Sequence, residues 1–180
     1  MRVMKYLIFA VAGYLAGSLI PERIIPREKE GRSRQLLVWA LDAVLGFLPV
    51  FVGGFFLDKA HPGFILTLLA PAFGRAHPFL QRWQSGHLLA LALGSLAGLL
   101  PLWQPVVLLA AAAALFFRVI RIDPYVFRVL AVFLVAAGGS FLLLGTEVVS
   151  WGCLFLTYYA AGQELEGYQG EKITVSFLPR

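Results

Sequence analysis

The 180-residue chain holds a single cysteine, three histidines and no asparagine, and only 14% of its residues are charged. Cys153, being alone, permits no intramolecular disulfide and no cysteine-built metal centre. With 59% hydrophobic residues and a mean hydropathy of +0.79, the composition excludes an ordinary water-soluble domain. GxGxxG, GxxxxGK[ST] and HExxH are all missing, and GYQGEK near the end lacks the spacing that cradles nucleotide phosphates. Dinucleotide-binding, P-loop and zincin chemistry therefore drop out. No basic patch is interleaved with aromatics, so the net charge of +5 calls for anionic lipid headgroups and membrane topology rather than nucleic acid.

What the chain has instead is apolar runs, at about 6–20, 36–57, 62–73, 87–103, 105–117, 124–144 and 148–161. These predict an all-α integral membrane protein with seven transmembrane segments. A spanning helix needs about 20 residues; the second and sixth runs meet that length, while the third, fifth and seventh must borrow flanking residues or sit sheltered. Lys and Arg near helix ends resist translocation and mark cytoplasmic loops. Arg23, Arg27, Lys29, Arg32, Arg34, Arg75, Arg82, Arg118, Arg121, Lys172 and Arg180 fall on one side, against Arg2, Lys5 and Lys59 on the other. The expected topology has the N-terminus outside and the C-terminus cytoplasmic. The basic start MRVMK is similar to a signal peptide, but no small-residue cleavage site follows, and it reads as a retained first helix. The expected organisation is one transmembrane helical domain over 1–162 and a polar cytoplasmic tail over 163–180. In that tail the alternation from Lys172 to Phe177 predicts a short strand, able to dock a protein partner or cover a site.

Gly13 and Gly17, and Gly94 and Gly98, stand four apart, the spacing that lets helix backbones approach. Gly53 with Gly54 and Gly138 with Gly139 mark either bends or room for a lipid chain. Asp42 lies inside the second run, where a carboxylate costs about 2.5–3.5 kcal/mol unless paired, hydrated or protonated. Arg75, Arg82, Arg118 and Arg128 are its candidate partners. Arg118, Arg121 and Arg128 surround Asp123 and Pro124, a pattern that either topology or anion binding generates.

The candidate site is GRAHPFLQRWQSGH, residues 74–87, a polar stretch between long apolar runs. Polar chemistry at membrane depth normally lines a sheltered or watery cavity. His77 and His87 need a third ligand from Asp42 or Glu164 to hold a metal, and no spacing enforces one; neither metal nor cofactor is expected. An anion cradle suits the residues better. Arg75 and Arg82 offer guanidinium donors, His77 and Gln84 further polar groups, and Ser85 and Gly86 backbone amides at the start of a helix from Leu88, with Arg118 nearby in the topology. Phosphate is the group expected there.

In order and spacing these residues resemble the bacterial acyl-phosphate:glycerol-3-phosphate acyltransferases (PlsY) along nearly the whole chain. Gly17, Ser18 and Pro21 are similar to the family's GS-x-P with one extra residue; Leu41, Asp42, Gly46, Leu48 and Pro49 to its LDxxKGxLP; and Gly74, Pro78, Leu80, Trp83, Gly86, Ala90 and Gly94 to GHxFPxFxxFxGGKGVATxxG. Gly162 and Glu164 are similar to its terminal GxE, and Asp42 and Glu164 are expected as supporting residues. The resemblance implies a multi-pass protein of the bacterial inner membrane, with its site facing the cytoplasm, working in phospholipid synthesis. There the 1-hydroxyl of glycerol 3-phosphate attacks an acyl-phosphate carbonyl, and basic groups and amides hold both phosphates.

The departures fall at the chemistry. The family loop SGNxGATNxxR has no counterpart in the shorter 22–35 stretch, and every asparagine contact is missing. His87 stands for the family lysine, Ser85 and Leu88 for its glycines, Arg75 for its histidine, and Gly152, Phe155 and Tyr158 for its late His, Asn and Arg. His87 is the expected catalytic base, an ordinary histidine having a pKa of about 6.5. Two expectations follow: a divergent acyltransferase using an acyl-phosphate donor and a glycerol-phosphate-like acceptor, or an inactive relative, a pseudoenzyme, that binds, moves or scaffolds anionic lipid.

Overall fold

The computed structural model describes residues 2–21, 32–78, 88–100, 102–143, 145, 147–166 and 174–177. Among these are seven α-helices and one two-stranded antiparallel ribbon. The chain divides into two compact units, Met1–Pro101 and Leu102–Arg180.

The first unit holds α1 (Arg2–Ser18), α2 (Arg32–Phe56), α3 (Phe64–Ala76) and α4 (Leu88–Ala97). In α2 the buried residues Val38, Asp42, Gly46, Val50 and Gly53 recur at helical spacing and form one inward stripe. Pro49 and Pro71 lie inside α2 and α3. Each removes one backbone donor, a loss that neighbouring helices make tolerable in an apolar bundle.

Two helix pairs are interlocked through glycine. A Cβ at Gly17 of α1 would collide with the Pro71 carbonyl of α3, and one at Gly74 of α3 with the Tyr14 carbonyl of α1. The pattern repeats between α2 and α4, where Gly46 faces the Leu91 carbonyl and Gly94 faces the Ala43 carbonyl. Contact positions advance together along both members: Gly13 meets Ala70 while Ser18 meets Gly74, and Gly46 meets Ser95 while Gly98 meets Val50. Both pairs are therefore parallel. The packing role expected of Gly13, Gly17, Gly94 and Gly98 is what the structure shows. Gly53 and Gly139 also sit against neighbours, Thr67 and Leu108, whereas Gly138 meets nothing within 4 Å.

The turn between α2 and α3 is built by side chains. Asp58 Oδ1 accepts the Ala60 N–H at 3.0 Å and His61 Nδ1 accepts the Gly63 N–H at 3.0 Å. Tyr6 of α1 stacks on His61, with ring centroids 4.7 Å apart, and donates its hydroxyl to the Asp58 carbonyl at 3.1 Å.

The second unit runs through α5 (Trp103–Ala114), a π-helical turn (Leu115–Val119), β1 (Ile120–Asp123), α6 (Tyr125–Leu142), α7 (Glu147–Glu166) and β2 (Thr174–Phe177). The strand read from the tail alternation is β2, and it pairs with β1 in the register Ile120↔Phe177 to Asp123↔Thr174. α6 and α7 pack through Val129, Val132, Phe133, Ala136 and Ala137 against Val149, Cys153 and Leu156, all buried. Ser150 Oγ adds a bond to the Ala137 carbonyl at 2.7 Å.

On length and composition alone, one helix among the described residues can cross a membrane, Ser33–Phe56. Val3–Ser18, Gly63–Ala76, Trp103–Val119 and Val126–Leu142 are apolar but shorter. The sixth run falls short of its expected length because it is bounded by Pro124 and by the cap at Leu143. Large apolar side chains nonetheless face outward, among them Leu142 at 79% and Phe56 at 67% exposure.

Candidate functional site

α3 delivers the chain to the candidate segment. Its last turn reads Phe73, Gly74, Arg75, Ala76, and the helix stops because Pro78 drives the preceding His77 out of helical geometry, to φ −126° and ψ 68°. The carbonyls of a final turn lack intrahelical partners. Here α1 supplies them. Tyr14 donates its hydroxyl to the His77 carbonyl at 2.6 Å, and the buried Ser18 hydroxyl is shared between the Tyr14 carbonyl at 2.8 Å and the Gly74 carbonyl at 3.2 Å.

Arg75 turns inward from this same turn. Its Nη2 donates to Asp42 Oδ1 of α2, and both side chains are wholly removed from solvent. A buried charge is sustained only when paired, and removing either partner would strand the other. Asp42 is one helical turn before Gly46, and Arg75 follows Gly74, so the ion pair lies beside two of the close backbone approaches. Of the partners considered for Asp42, Arg75 is paired with it among the described residues, and Arg82 lies outside them. The guanidinium that the sequence offered to a ligand is thereby held inside the protein by a carboxylate.

His77 is exposed, its N–H bonded to the Phe73 carbonyl at 2.9 Å. Arg82, Gln84, Ser85, Gly86 and His87 lie outside the described residues. α4 begins at Leu88, where the sequence predicts a helix start. Glu164 lies in the last turns of α7, which continues past residue 162 to Glu166. Among the described residues no group of three or more His, Cys, Asp or Glu is placed to hold a metal.

Arg118 sits exposed on the π turn of the second unit. Its neighbour Arg128 is committed locally. Its Nε and Nη2 donate to the Ile122 carbonyl at 3.1 and 2.9 Å, its Nη2 to Asp123 Oδ1 at 2.8 Å, and its guanidinium carbon stands 5.6 Å from the Phe117 ring centroid. Arg128 thus ties the start of α6 to β1, and Asp123 is neutralised by it.

Sequence reading missed Tyr14. The available signal was position: it lies one helical turn before Ser18, on the same face of α1. What the first unit offers chemically is a helix end pinned from two sides, by hydroxyls of α1 and by a carboxylate of α2, at the point where the polar segment departs.

No protein-family model matches the chain, and no curated protein matches it by sequence. Two solved structures share its fold. Both are crystal structures of PlsY (YgiH), an integral membrane glycerol 3-phosphate acyltransferase. The lysophosphatidic acid form superposes with a TM-score of 0.70 at 18% identity, and the glycerol 3-phosphate form with 0.69 at 16%; each alignment covers 89% of this chain and 88% of the other.

Proposed function

We propose that the chain is a membrane-embedded acyltransferase of altered chemistry, transferring an acyl group from an acyl phosphate to a phosphate-bearing hydroxyl acceptor such as glycerol 3-phosphate. The observation that carries this reading is the end of α3, braced by Asp42, Tyr14 and Ser18, on a fold shared with acyltransferase structures over 89% of the chain. Positioning and charge stabilisation supply much of the rate in a transfer that needs no side-chain nucleophile.

In this reading Arg82, Gln84, His77 and the amides of Ser85 and Gly86 hold phosphate, and Arg75 braces the helix end from which that segment departs. The acceptor hydroxyl attacks the acyl carbonyl, its proton passes to His87, and the carbon–oxygen bond to phosphate breaks. The charge on the departing phosphate is met by the guanidinium and amide donors. Seven segments cross a bacterial inner membrane with the N-terminus outside and the site toward the cytoplasm. The lopsided distribution of Lys and Arg and the outward-facing apolar side chains support that topology.

The test is direct. Purified protein in nanodiscs, given palmitoyl phosphate and glycerol 3-phosphate, should release inorganic phosphate together with lysophosphatidate. Absence of both products across glycerol-phosphate and polyol-phosphate acceptors overturns the reading. One observation favours the second reading, a lipid-binding relative without turnover: the Arg75 guanidinium is fully enclosed with Asp42. That reading expects labelled phosphatidylglycerol to bind equally before and after His87→Ala, with no phosphate released by either protein.

A further inference from the structure

β1 and β2 form a ribbon with two unlike faces. Alternation along a strand places Ile120, Ile122 and Val175 at one face, and Asp123 and Thr174 at the other. Val175 is 58% exposed, so the described protein leaves that apolar face partly uncovered. A two-stranded ribbon by itself is marginal in water. This one is held by Arg128 at its α6 end, through the Ile122 carbonyl and the Asp123 carboxylate.

The charge around it in sequence is mainly positive. Arg118, Arg121, Lys172 and Arg180 lie in or beside the two strands in sequence, against Asp123 and Glu171, and Asp123 is already engaged by Arg128. Leu115, Phe117 and Val119 of the π turn leading into β1 are also exposed, which adds apolar surface next to the ribbon in sequence. A soluble partner would have to cover both this apolar surface and the cations. A bilayer boundary provides hydrocarbon and anionic headgroups together, and water at that depth still satisfies the unpaired strand edges.

We propose that the β1–β2 ribbon is an interfacial element that seats its Ile120, Ile122 and Val175 face on an anionic lipid leaflet, with the exposed Arg118 and the net positive charge of the adjoining sequence drawn to the lipid phosphates. The placement rests on the membrane-spanning reading above and is independent of acyl transfer.

The test uses full-length protein carrying Cys153→Ser, with a nitrobenzoxadiazole probe at Val175→Cys and a control probe at Leu134→Cys on the exposed face of α6. The carriers are nanodiscs of pure phosphatidylcholine or of phosphatidylcholine with phosphatidylglycerol. A headgroup-attached nitroxide lipid should quench the Val175→Cys probe and aqueous iodide should not, with shielding greater in the anionic discs. Arg118→Glu with Arg121→Glu should shift the seated-to-free ratio by roughly ten-fold or more, each basic residue contributing separately to leaflet attraction. Equal access of iodide to Val175→Cys in both discs, with Leu134→Cys shielded, overturns the ribbon's placement alone. Access of iodide to Leu134→Cys overturns the spanning reading and the placement with it. Shielding of Val175→Cys that persists unchanged in detergent micelles and after both charge reversals assigns the face to a protein partner and also overturns the proposal.

Discussion

Asp42 and Arg75, thirty-three positions apart in sequence, form an ion pair with neither side chain open to solvent. The carboxylate belongs to the inward stripe of α2 and the guanidinium to the last turn of α3, so one interaction joins two helices and removes the charge from both. In an apolar surrounding such a pair is far more costly to break than to replace as a whole.

Asp42→Ala should therefore lower stability by about 3–5 kcal/mol, since it strands a buried guanidinium. Asp42→Leu combined with Arg75→Met should recover most of that loss. Thermal unfolding of the detergent-solubilised protein, followed by circular dichroism, distinguishes the two. A double variant no better than Asp42→Ala would show that the charges act separately.

At Gly94 there is no space for a side chain, because the Ala43 carbonyl occupies it. Gly94→Ala should cost about 1–3 kcal/mol through forced separation of α2 and α4. Gly138→Ala should instead be neutral or stabilising by up to about 1 kcal/mol, because it lies within helix α6 with nothing nearby. Melting temperatures that moved alike would refute the close-approach explanation.

Tyr14→Phe deletes only the hydroxyl donated to the His77 carbonyl. A loss of about 0.5–1.5 kcal/mol is expected, with faster hydrogen exchange confined to the end of α3 and the residues after it. If that helix end positions the polar segment, kcat should fall more than KM rises.

His87→Ala should reduce phosphate release by about 10²–10⁴-fold, the usual contribution of a positioned base, while His87→Lys, which restores the residue of the resembled family, should retain part of the rate. Undiminished turnover in His87→Ala would remove the base from the mechanism.

Arg128→Lys keeps the charge but loses the fork that reaches the Ile122 carbonyl and Asp123 together. Exchange at 120–123 and 174–177 should quicken in this variant, and in Arg128→Gln more so.

Local pattern was enough for much of the scaffold. The second apolar run became α2, the helix from Leu88 became α4, and the alternation before the C-terminal end became β2, since each depends on the spacing of neighbours along the chain. Strand β1 was not visible. Ile120–Asp123 is short and half polar, and its conformation depends on a partner more than fifty residues later. The same limit governed the candidate site. Arg75 reads both as a cation offered to a ligand and as one of four candidate partners of Asp42, and only the proximity of α2 and α3, a tertiary fact, brings the pair together. Asp42 itself was legible as a residue that needs a partner, because an isolated carboxylate in an apolar run is costly wherever the helix lies.

The glycine interlocks constrain how this unit can move. Sliding α1 along α3, or α2 along α4, would drive carbonyl oxygens into side chains adjoining the gaps at Gly17, Gly74, Gly46 and Gly94. Relative motion of the two couples would then be rotation of each as a unit, not sliding within it. The joint between couples carries the pair of Asp42 with Arg75 together with the contacts of Gly53 with Thr67 and of Phe9 with Phe56, so any parting of the couples strains these first.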